Sequence, residues 1–531
     1  MSSEGKLEYQ EKVSDNVVEP YPDSEANVPV YSGSTLHRTM KNRHIAMISI
    51  GGVIGTGLFL GTAGVLATGG PIGLLLGYVV VGTICYAVMV SLGEMISYLP
   101  IPGGHITLAE RFVDPAWSFT LGWNYCTNNS VNDAAWITIF LVIVIVINML
   151  GARAYGEAEF VFASIKVFTI TGLIILGIVL DLGGGPNHDR IGFRYWKNPG
   201  PFAQFGGIAG SKGRFLAWWN VMTQAAFSFI GTEIVAIAGG EAKNPRRNIP
   251  KAIKRVYVRI LLFYIGGVTI IGLLVPYTEP DLNLKTSNAA KSPFVIAIKT
   301  AGIKGLPSVI NAALLTSAWS AASSDLYTSS RALYGLALNG NAPKVFARVS
   351  SWGLPYVAVS TSAAFGLLAY MAVSSGAGRV FTWFANLTAI AGLMTWFGIA
   401  VTYIRFHKGM KAQGMDRNAL PYKAPFQPFL AWYAAISCIV ICFFSGFAVF
   451  INHAWDTATF VTNYLPFILF PIIYIGARIW WRSSFIAPED MDFKSGLAEV
   501  EAASYDEPPP RNWVEKVWGW LVSIFISKLW L

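Results

Sequence analysis

The chain runs to 531 residues, of which 53% are hydrophobic and only 13% charged, with a net charge of +9. Soluble domains carry about 25% charged residues, so this balance excludes an ordinary soluble enzyme and points to a chain built largely inside a bilayer. The positive charge does not mark a nucleic-acid binder, because the basic residues cluster in short connections between apolar runs, where they set membrane orientation.

The first 43 residues are polar and mildly acidic, carrying Glu4, Glu8, Glu11, Asp15, Glu19, Asp23 and Glu25. They hold no apolar signal-peptide core and read as a disordered cytosolic tail. A span needs about 20 apolar residues. Such runs lie at 45–68, 71–99, 159–182, 216–240, 257–277, 306–335, 355–374, 380–404, 428–451 and 459–481. A marginal run covers 135–150, and a stub at 116–126 is too short to cross. The connections 183–214 and 278–305 are polar, with 293–304 reading as a short surface helix. The end of the chain is polar and acidic, then rich in tryptophan (Trp513, Trp518, Trp520, Trp530). That end suits either a membrane-surface segment or a disordered tail. The predicted organisation is a tail at 1–43, a transmembrane body at 44–482 and a second cytosolic tail at 483–531.

Charge placement tests the count. Lys41 and Arg43 precede the first run, Lys243 to Arg259 form the densest basic connection, and Arg405 to Arg417 form another. Arg331, Lys344 and Arg348 follow the 306–335 run, and Arg478 and Arg482 close the last. Positive connections belong in the cytosol. With the eleven runs alone, several of these fall outside; one more span between Arg111 and Arg153 brings them all inside, together with both termini. Arg190, Arg194 and Lys197 in the 183–214 connection run against the rule.

Two interruptions stand out. Gly51-Gly52-Val53-Ile54-Gly55-Thr56-Gly57 cuts the first run, and Phe227-Ser228-Phe229-Ile230-Gly231-Thr232-Glu233 cuts the run at 216–240. Broken backbone at membrane depth is tolerated only inside the protein or along a cavity, and paired breaks point to a transporter's binding site. A helix restarting after a break offers free N–H groups and a positive dipole end to an anion, while the helix ending before it offers carbonyls to a cation. An amino acid carries one charge of each kind. The glycine motif reads equally as a small-residue helix-packing face. Glu233 is an ionisable group inside an apolar run, a setting usually functional, and is a candidate proton carrier; its plainer role is to pin neighbouring helices by hydrogen bonds.

Cys85, Cys126, Cys438 and Cys442 form no metal or redox motif, and the six histidines do not pair at ligand spacing. They read as apolar fillers and as solvated or capping groups, respectively. No nucleophile–base constellation, cofactor or metal site is implied, so the chain is not read as an enzyme.

The stretch from about 38 to 485 resembles a fungal amino-acid permease of the amino acid–polyamine–organocation superfamily, in its yeast amino-acid transporter branch. The carrying residues are the glycine motif, Ser91-Leu92-Gly93-Glu94-Met95, Arg111-Phe112-Val113-Asp114-Pro115, Gly156-Glu157-Ala158-Glu159-Phe160, Phe229 to Glu233, Glu241 to Pro250, and Ser324-Asp325-Leu326-Tyr327-Thr328-Ser329-Ser330-Arg331. The resemblance implies an all-α polytopic fold of the leucine-transporter kind, two inverted five-helix repeats followed by two helices. It implies proton-coupled amino-acid uptake by alternating access at the plasma membrane, with protons, substrate and membrane lipid as partners and cytosolic trafficking or ubiquitination machinery acting on the tails. By position, Thr56 and Gly57 match the family's carboxylate site. The carbonyls of Val53, Phe227 and Ile230, beside Gly231, match its ammonium site, with Phe227 and Phe229 as walls. Glu233 matches its proton-coupling acid. Lys166 matches a lysine that bridges the broken first helix and the eighth, and Asp325 an acid that orders the cytosolic half. The match departs after Gly122-Trp123-Asn124-Tyr125, where the chain passes from Cys126 to Ala135 with most of a third helix missing. That is the span the charge placement asks for. The alternative to a transporter is therefore a non-transporting amino-acid sensor or an inactive truncated permease.

Overall fold

The computed structural model describes residues 39–52, 54–125, 134–242, 244–283, 289–370, 377–451 and 455–502. Among these, regular structure is helical apart from one isolated pairing of Met40 with Ala242. Among the described residues, seven helical stretches are long and apolar enough to cross a membrane: Gly57–Tyr98, Ala152–Asp181, Gly210–Gly239, Pro245–Leu274, Val380–Ala412, Phe429–Phe450 and Thr457–Trp481.

The short first helix α1 (Asn42–Met47) widens into a π-helical turn at Ile48–Gly52, and the chain resumes as a second such turn at Gly57–Gly61 that runs into α2 (Thr62–Tyr98). Helix α2 is two passes. At Gly70 (φ +72°), followed by Pro71, the chain reverses. Before the turn Gly69 approaches Val221; after it Tyr78 bonds Ser228 and Cys85 meets Thr232, so the second limb retraces the same neighbour in the opposite direction. The 183–214 connection folds over this turn through Ile72 N–H to the Pro201 carbonyl (2.9 Å) and Ala203 N–H to the Gly69 carbonyl (3.3 Å).

Helices α3 (His105–Phe112) and α4 (Pro115–Tyr125) follow. At 1.5 Å per residue, the eleven described residues of α4 reach about half of a hydrocarbon core of about 30 Å; the stub's last position, 126, and the residues to 133 lie outside the described residues. Next come α5 (Ala134–Met149), α6 (Ala152–Asp181) and the small α7 (Arg194–Lys197). Helix α8 (Gly210–Phe229) stops at the second interruption and α9 (Ile234–Gly239) continues beyond it.

Three expectations need correcting. The dense basic connection is helical: α10 (Pro245–Arg259) passes through a π-helical stretch into α11 (Gly266–Leu274). Pro245 suits a first helical position, and Asn248, Ile249, Ala252, Ile253, Val256 and Arg259 give α10 one buried face. The segment predicted as a surface helix forms α12 (Pro293–Thr300), but Pro293 to Ile298 are all buried, because its apolar residues occupy every side. His105 is fully buried rather than solvated, and burial pushes it down to about 4, so it stays neutral.

The remaining helices are α13 (Leu306–Leu338), α14 (Tyr356–Phe365), α15 (Ala377–Ala412), α16 (Phe429–Phe443), α17 (Thr457–Trp481) and α18 (Leu497–Ala502). Beyond position 482, side chains still pack on the helical body. Phe493 is buried between the rings of Phe112 (5.2 Å) and Phe406 (5.4 Å). Tyr98 Oη donates to the Phe493 carbonyl (3.1 Å) and Arg111 to the Ser495 carbonyl (2.8 Å). The polar composition of 483–502 conceals these few anchors. The first tail and the tryptophan-rich end lie outside the described residues.

A buried carboxylate fastens the second limb of α2. Glu94 accepts from Arg417 Nε (2.7 Å) and Nη2 (2.9 Å), from Tyr403 Oη (3.0 Å) and from Ala424 N–H (2.7 Å). Glu110, in the α3 connection, behaves differently. Burial pushes its carboxyl up to about 7 despite a hydrogen bond from Asn341 (2.8 Å). As pH rises from about 4.5 to about 7 the unfolded chain gives up this proton while the folded chain keeps it, so stability falls across that window and levels off above it. Glu110→Gln removes the loss. Thermal unfolding in detergent is expected at a higher temperature than wild type at about pH 8, with the two coinciding below about pH 4.

Candidate functional site

In the first break Ile54 N–H turns back to the Gly51 carbonyl (3.0 Å), and Gly55 and Thr56 are only half-buried. The helix then restarts at Gly57, whose first N–H groups have no partner within their own helix and present the positive end of the dipole to the break. Val53 lies outside the described residues. Ser317 Oγ, from α13, holds the Ile54 carbonyl (3.0 Å).

In the second break Ile230 is extended and Gly231 sits at φ +92°, a conformation that side chains resist and glycine adopts freely. Gly231 N–H points to Glu233 Oε1 (3.3 Å). The Phe227 carbonyl, which Gly231 N–H would satisfy in a continuous helix, is therefore not taken by it. Glu233 is fully buried, and its Oε2 accepts from Trp396 Nε1 (3.1 Å) of α15.

The two breaks meet. A Cβ on Gly57 would lie 2.7 Å from the Ser228 Cα, so glycine is what lets the backbones touch. Gly57→Ala forces them apart at an overpacking cost of about 1–3 kcal/mol, and substrate binding to the purified chain is expected to weaken roughly 5- to 150-fold.

Arg259, at the junction of α10 with the π-helical stretch, is almost wholly buried. It donates to the Ser49 carbonyl (2.8 Å) beneath the first break and to Thr232 Oγ1 (2.8 Å) within the second. Thr232 Oγ1 in turn donates to the Phe229 carbonyl (2.5 Å). The charge pattern marks Arg259 only as the last residue of a basic connection; its place at the mouth of the apolar run 257–277 is the signal that it is drawn inward.

Lys166 Nζ donates to the Gly51 carbonyl (3.2 Å) and lies 3.7 Å from Glu159 Oε1. Glu159, two turns earlier on the same face of α6, is also buried and accepts from Ser320 Oγ (2.5 Å) of α13. Glu159 is quoted in the sequence motif without a role; the structure makes it the counter-charge of Lys166. Asp325 lies on α13 between the buried Ser324 and Leu326, within electrostatic reach of Glu233 and Lys166. Toward α1, Arg331 Nε meets Glu241 Oε1 (3.0 Å) and Tyr327 Oη meets its Oε2 (3.1 Å), tying α13 to the end of α9.

The structure separates the two phenylalanines. Phe227 is half-buried and edge-on to Phe381 (6.1 Å) beside the break. Phe229 is buried in a stack with Tyr264 (4.4 Å) and next to Tyr78 (5.6 Å), which makes it a packing residue. Cys85, Cys438 and Cys442 are buried and free; Cys126 lies outside the described residues.

The breaks thus set a positive helix end and a set of carbonyls against one another, with an acid alongside. Sequence comparison gives this arrangement its context. A profile of the amino acid permease family matches residues 44–135 and 127–487. The two matched stretches overlap at 127–135, where the sequence passes from the third helix to the fourth. A dicarboxylic amino acid permease of Saccharomyces cerevisiae is 42% identical over 483 residues, covering 86% of this chain and 79% of its own. A proline-specific permease of Emericella nidulans is 41% identical over 513 residues, covering 91% and 93%. A general amino-acid permease of Saccharomyces cerevisiae is 40% identical over 514 residues, covering 91% and 84%. With its helical architecture and apolar spans, the chain belongs to the amino acid permease family, a multi-pass membrane transporter with the family's leucine-transporter-like fold.

Proposed function

We propose that the chain is a proton-coupled amino-acid symporter of the plasma membrane, with both termini cytosolic. The substrate carboxylate sits on Thr56 and Gly57 at the start of the outer half-helix. Its ammonium group meets the carbonyls of Phe227 and Ile230, and Phe227 forms part of the side-chain wall. The observation that carries this reading is the hydrogen bond from Gly231 N–H to the buried Glu233 carboxylate. Protonating Glu233 turns the charged acceptor of Gly231 N–H into a weaker neutral one and so alters the strand of backbone that bears the substrate-facing carbonyls. Proton and substrate are thereby felt by one short segment. In alternating access the first, second, sixth and seventh family helices rock against the rest. The Arg331–Glu241–Tyr327 cluster then holds the cytosolic side shut, and Lys166 with Glu159 anchors the first break to the scaffold. Protons, amino acid and lipid are the partners in the bilayer, and the tails offer the surface for trafficking and ubiquitination machinery.

The third helix that the sequence leaves short between Tyr125 and Ala135 favours a second reading, an amino-acid sensor or truncated permease that binds without transport. Uptake of labelled amino acids into permease-deficient cells, with and without an inward pH gradient, is to be paired with binding to the purified chain. Gradient-dependent uptake supports the symporter. Binding without flux selects the sensor, and neither overturns both.

A further inference from the structure

Between α15 and α16 a groove of about 540 Å³ opens on the outside of the helical body. That is the size of a ligand pocket, which spans about 300–1,000 Å³, but its walls are apolar. Phe397, Val401 and Ile439 line it, and Trp432 and Ile436 at its rim are 50% and 59% exposed. A surface of this kind on a membrane-spanning helix pair faces lipid tails.

One end of the groove is different. Arg405, Lys408 and Phe485 close it, and Phe485 is flanked by two guanidinium groups, Arg405 at 5.8 Å and Arg478 at 4.2 Å from its ring centre. The hydrogen bonds of Arg405 go to the neutral carbonyls of Phe112 and Ile486. Arg478 bonds Tyr474 Oη (3.1 Å), and only through that hydroxyl is a carboxylate, Asp114, reached. Lys408 is exposed. Among the described residues none of the three forms an ion pair with a carboxylate. Three uncompensated cations thus ring the mouth of a lipid-facing apolar groove, at the end that carries the basic connections.

We propose that this groove binds one phospholipid with an anionic headgroup, an acyl chain lying along Phe397, Val401 and Ile439 and the phosphate held among Arg405, Lys408 and Arg478. Basic pockets between spanning helices on the cytosolic side suit such headgroups. A soluble anion leaves the apolar walls uncovered, and a zwitterionic lipid brings its own cation to a cluster already positive. The groove also touches the substrate site through covalent neighbours: Phe397 lines it, and Trp396 beside it donates to Glu233. Occupancy therefore braces the stretch of α15 that orients the acid.

The test is native mass spectrometry of the full chain purified in detergent. It is offered phosphatidylserine, phosphatidylcholine with the same acyl chains, or glycerophosphoserine as the headgroup alone. Retained phosphatidylserine, with no retention of the other two, is the expected result. Lys408→Gln is expected to weaken retention about fivefold, as one cation fewer near an anionic headgroup implies. Ile436→Trp fills the groove, leaves every cation in place, and is expected to weaken it as well. Both positions are exposed, so folding is not at stake. Equal retention of the two lipids, displacement by the headgroup alone, or retention unchanged in both variants overturns the proposal. None of these readouts depends on transport, so they leave the symporter reading to its own test.

Discussion

Replacing Glu233 with glutamine is expected to leave substrate exchange across the membrane intact while abolishing accumulation driven by a pH gradient. Glutamine is nearly isosteric and can still accept from Trp396 Nε1, whose present partner is Glu233 Oε2 at 3.1 Å. It cannot exchange a proton, and its amide has one acceptor where the carboxylate serves both Trp396 and Gly231. Each unit of pH gradient is worth about 1.4 kcal/mol per coupled proton, or about tenfold in accumulation. Proteoliposomes holding the wild-type chain should therefore concentrate a labelled amino acid about tenfold further per pH unit, and those holding Glu233→Gln should only equilibrate it. Counterflow in the same vesicles, which needs no gradient, reports whether the variant is folded and binds. A variant that exchanges and also accumulates like wild type removes Glu233 from the coupling role.

The largest structural loss is expected from Arg259→Ala. The guanidinium supplies two charge-assisted hydrogen bonds, one to each break. Such bonds are worth about 1.5–3 kcal/mol each, so about 3–6 kcal/mol is at stake against a total stability on the order of 5–15 kcal/mol. The Ser49 carbonyl is left without this donor, and the two breaks are no longer tied. The expected outcome is a marked fall in thermal unfolding temperature in detergent together with loss of uptake. Arg259→Lys keeps the charge, but a single ammonium lacks the fork that reaches both acceptors; it should recover part of the stability and little of the uptake. Normal unfolding and normal uptake in Arg259→Ala would show that the bridge is incidental.

The interruptions were readable because glycines and an acid stand out against apolar surroundings, and because free backbone in a bilayer has few uses. The sequence also marks a short third helix, since the stub at 116–126 cannot cross while the charges around it demand a crossing. What composition hid was the environment of individual charged and aromatic side chains. Arg259 sits in a run of basic residues that looks like a connection; its place at the start of an apolar run hints that it turns inward, and the register of α10 shows that it shares a buried face with Ile249, Ala252 and Val256. Glu159 and Lys166 sit seven residues apart, a spacing that pairs them once α6 is known to be continuous. The resemblance assigns Phe227 and Phe229 to one wall, yet residues two apart on a helix point to nearly opposite sides, so Phe227 lies beside the break and Phe229 packs against Tyr264. The anchor Phe493 is an isolated apolar residue in polar surroundings, a pattern that periodicity does not detect.

The Glu94 cluster has a consequence for how the chain is made. Its cation, Arg417, lies 323 residues downstream. A ribosome adding about 5–20 residues per second needs roughly 15–65 s to reach it. Through that interval the half-built protein holds a carboxylate at the end of an early helix with no partner. The first helices therefore cannot settle into their final packing as they emerge. Assembly waits for the last third of the message, and a ribosome that stalls before Arg417 leaves a product whose exposed acid sets it apart for quality control.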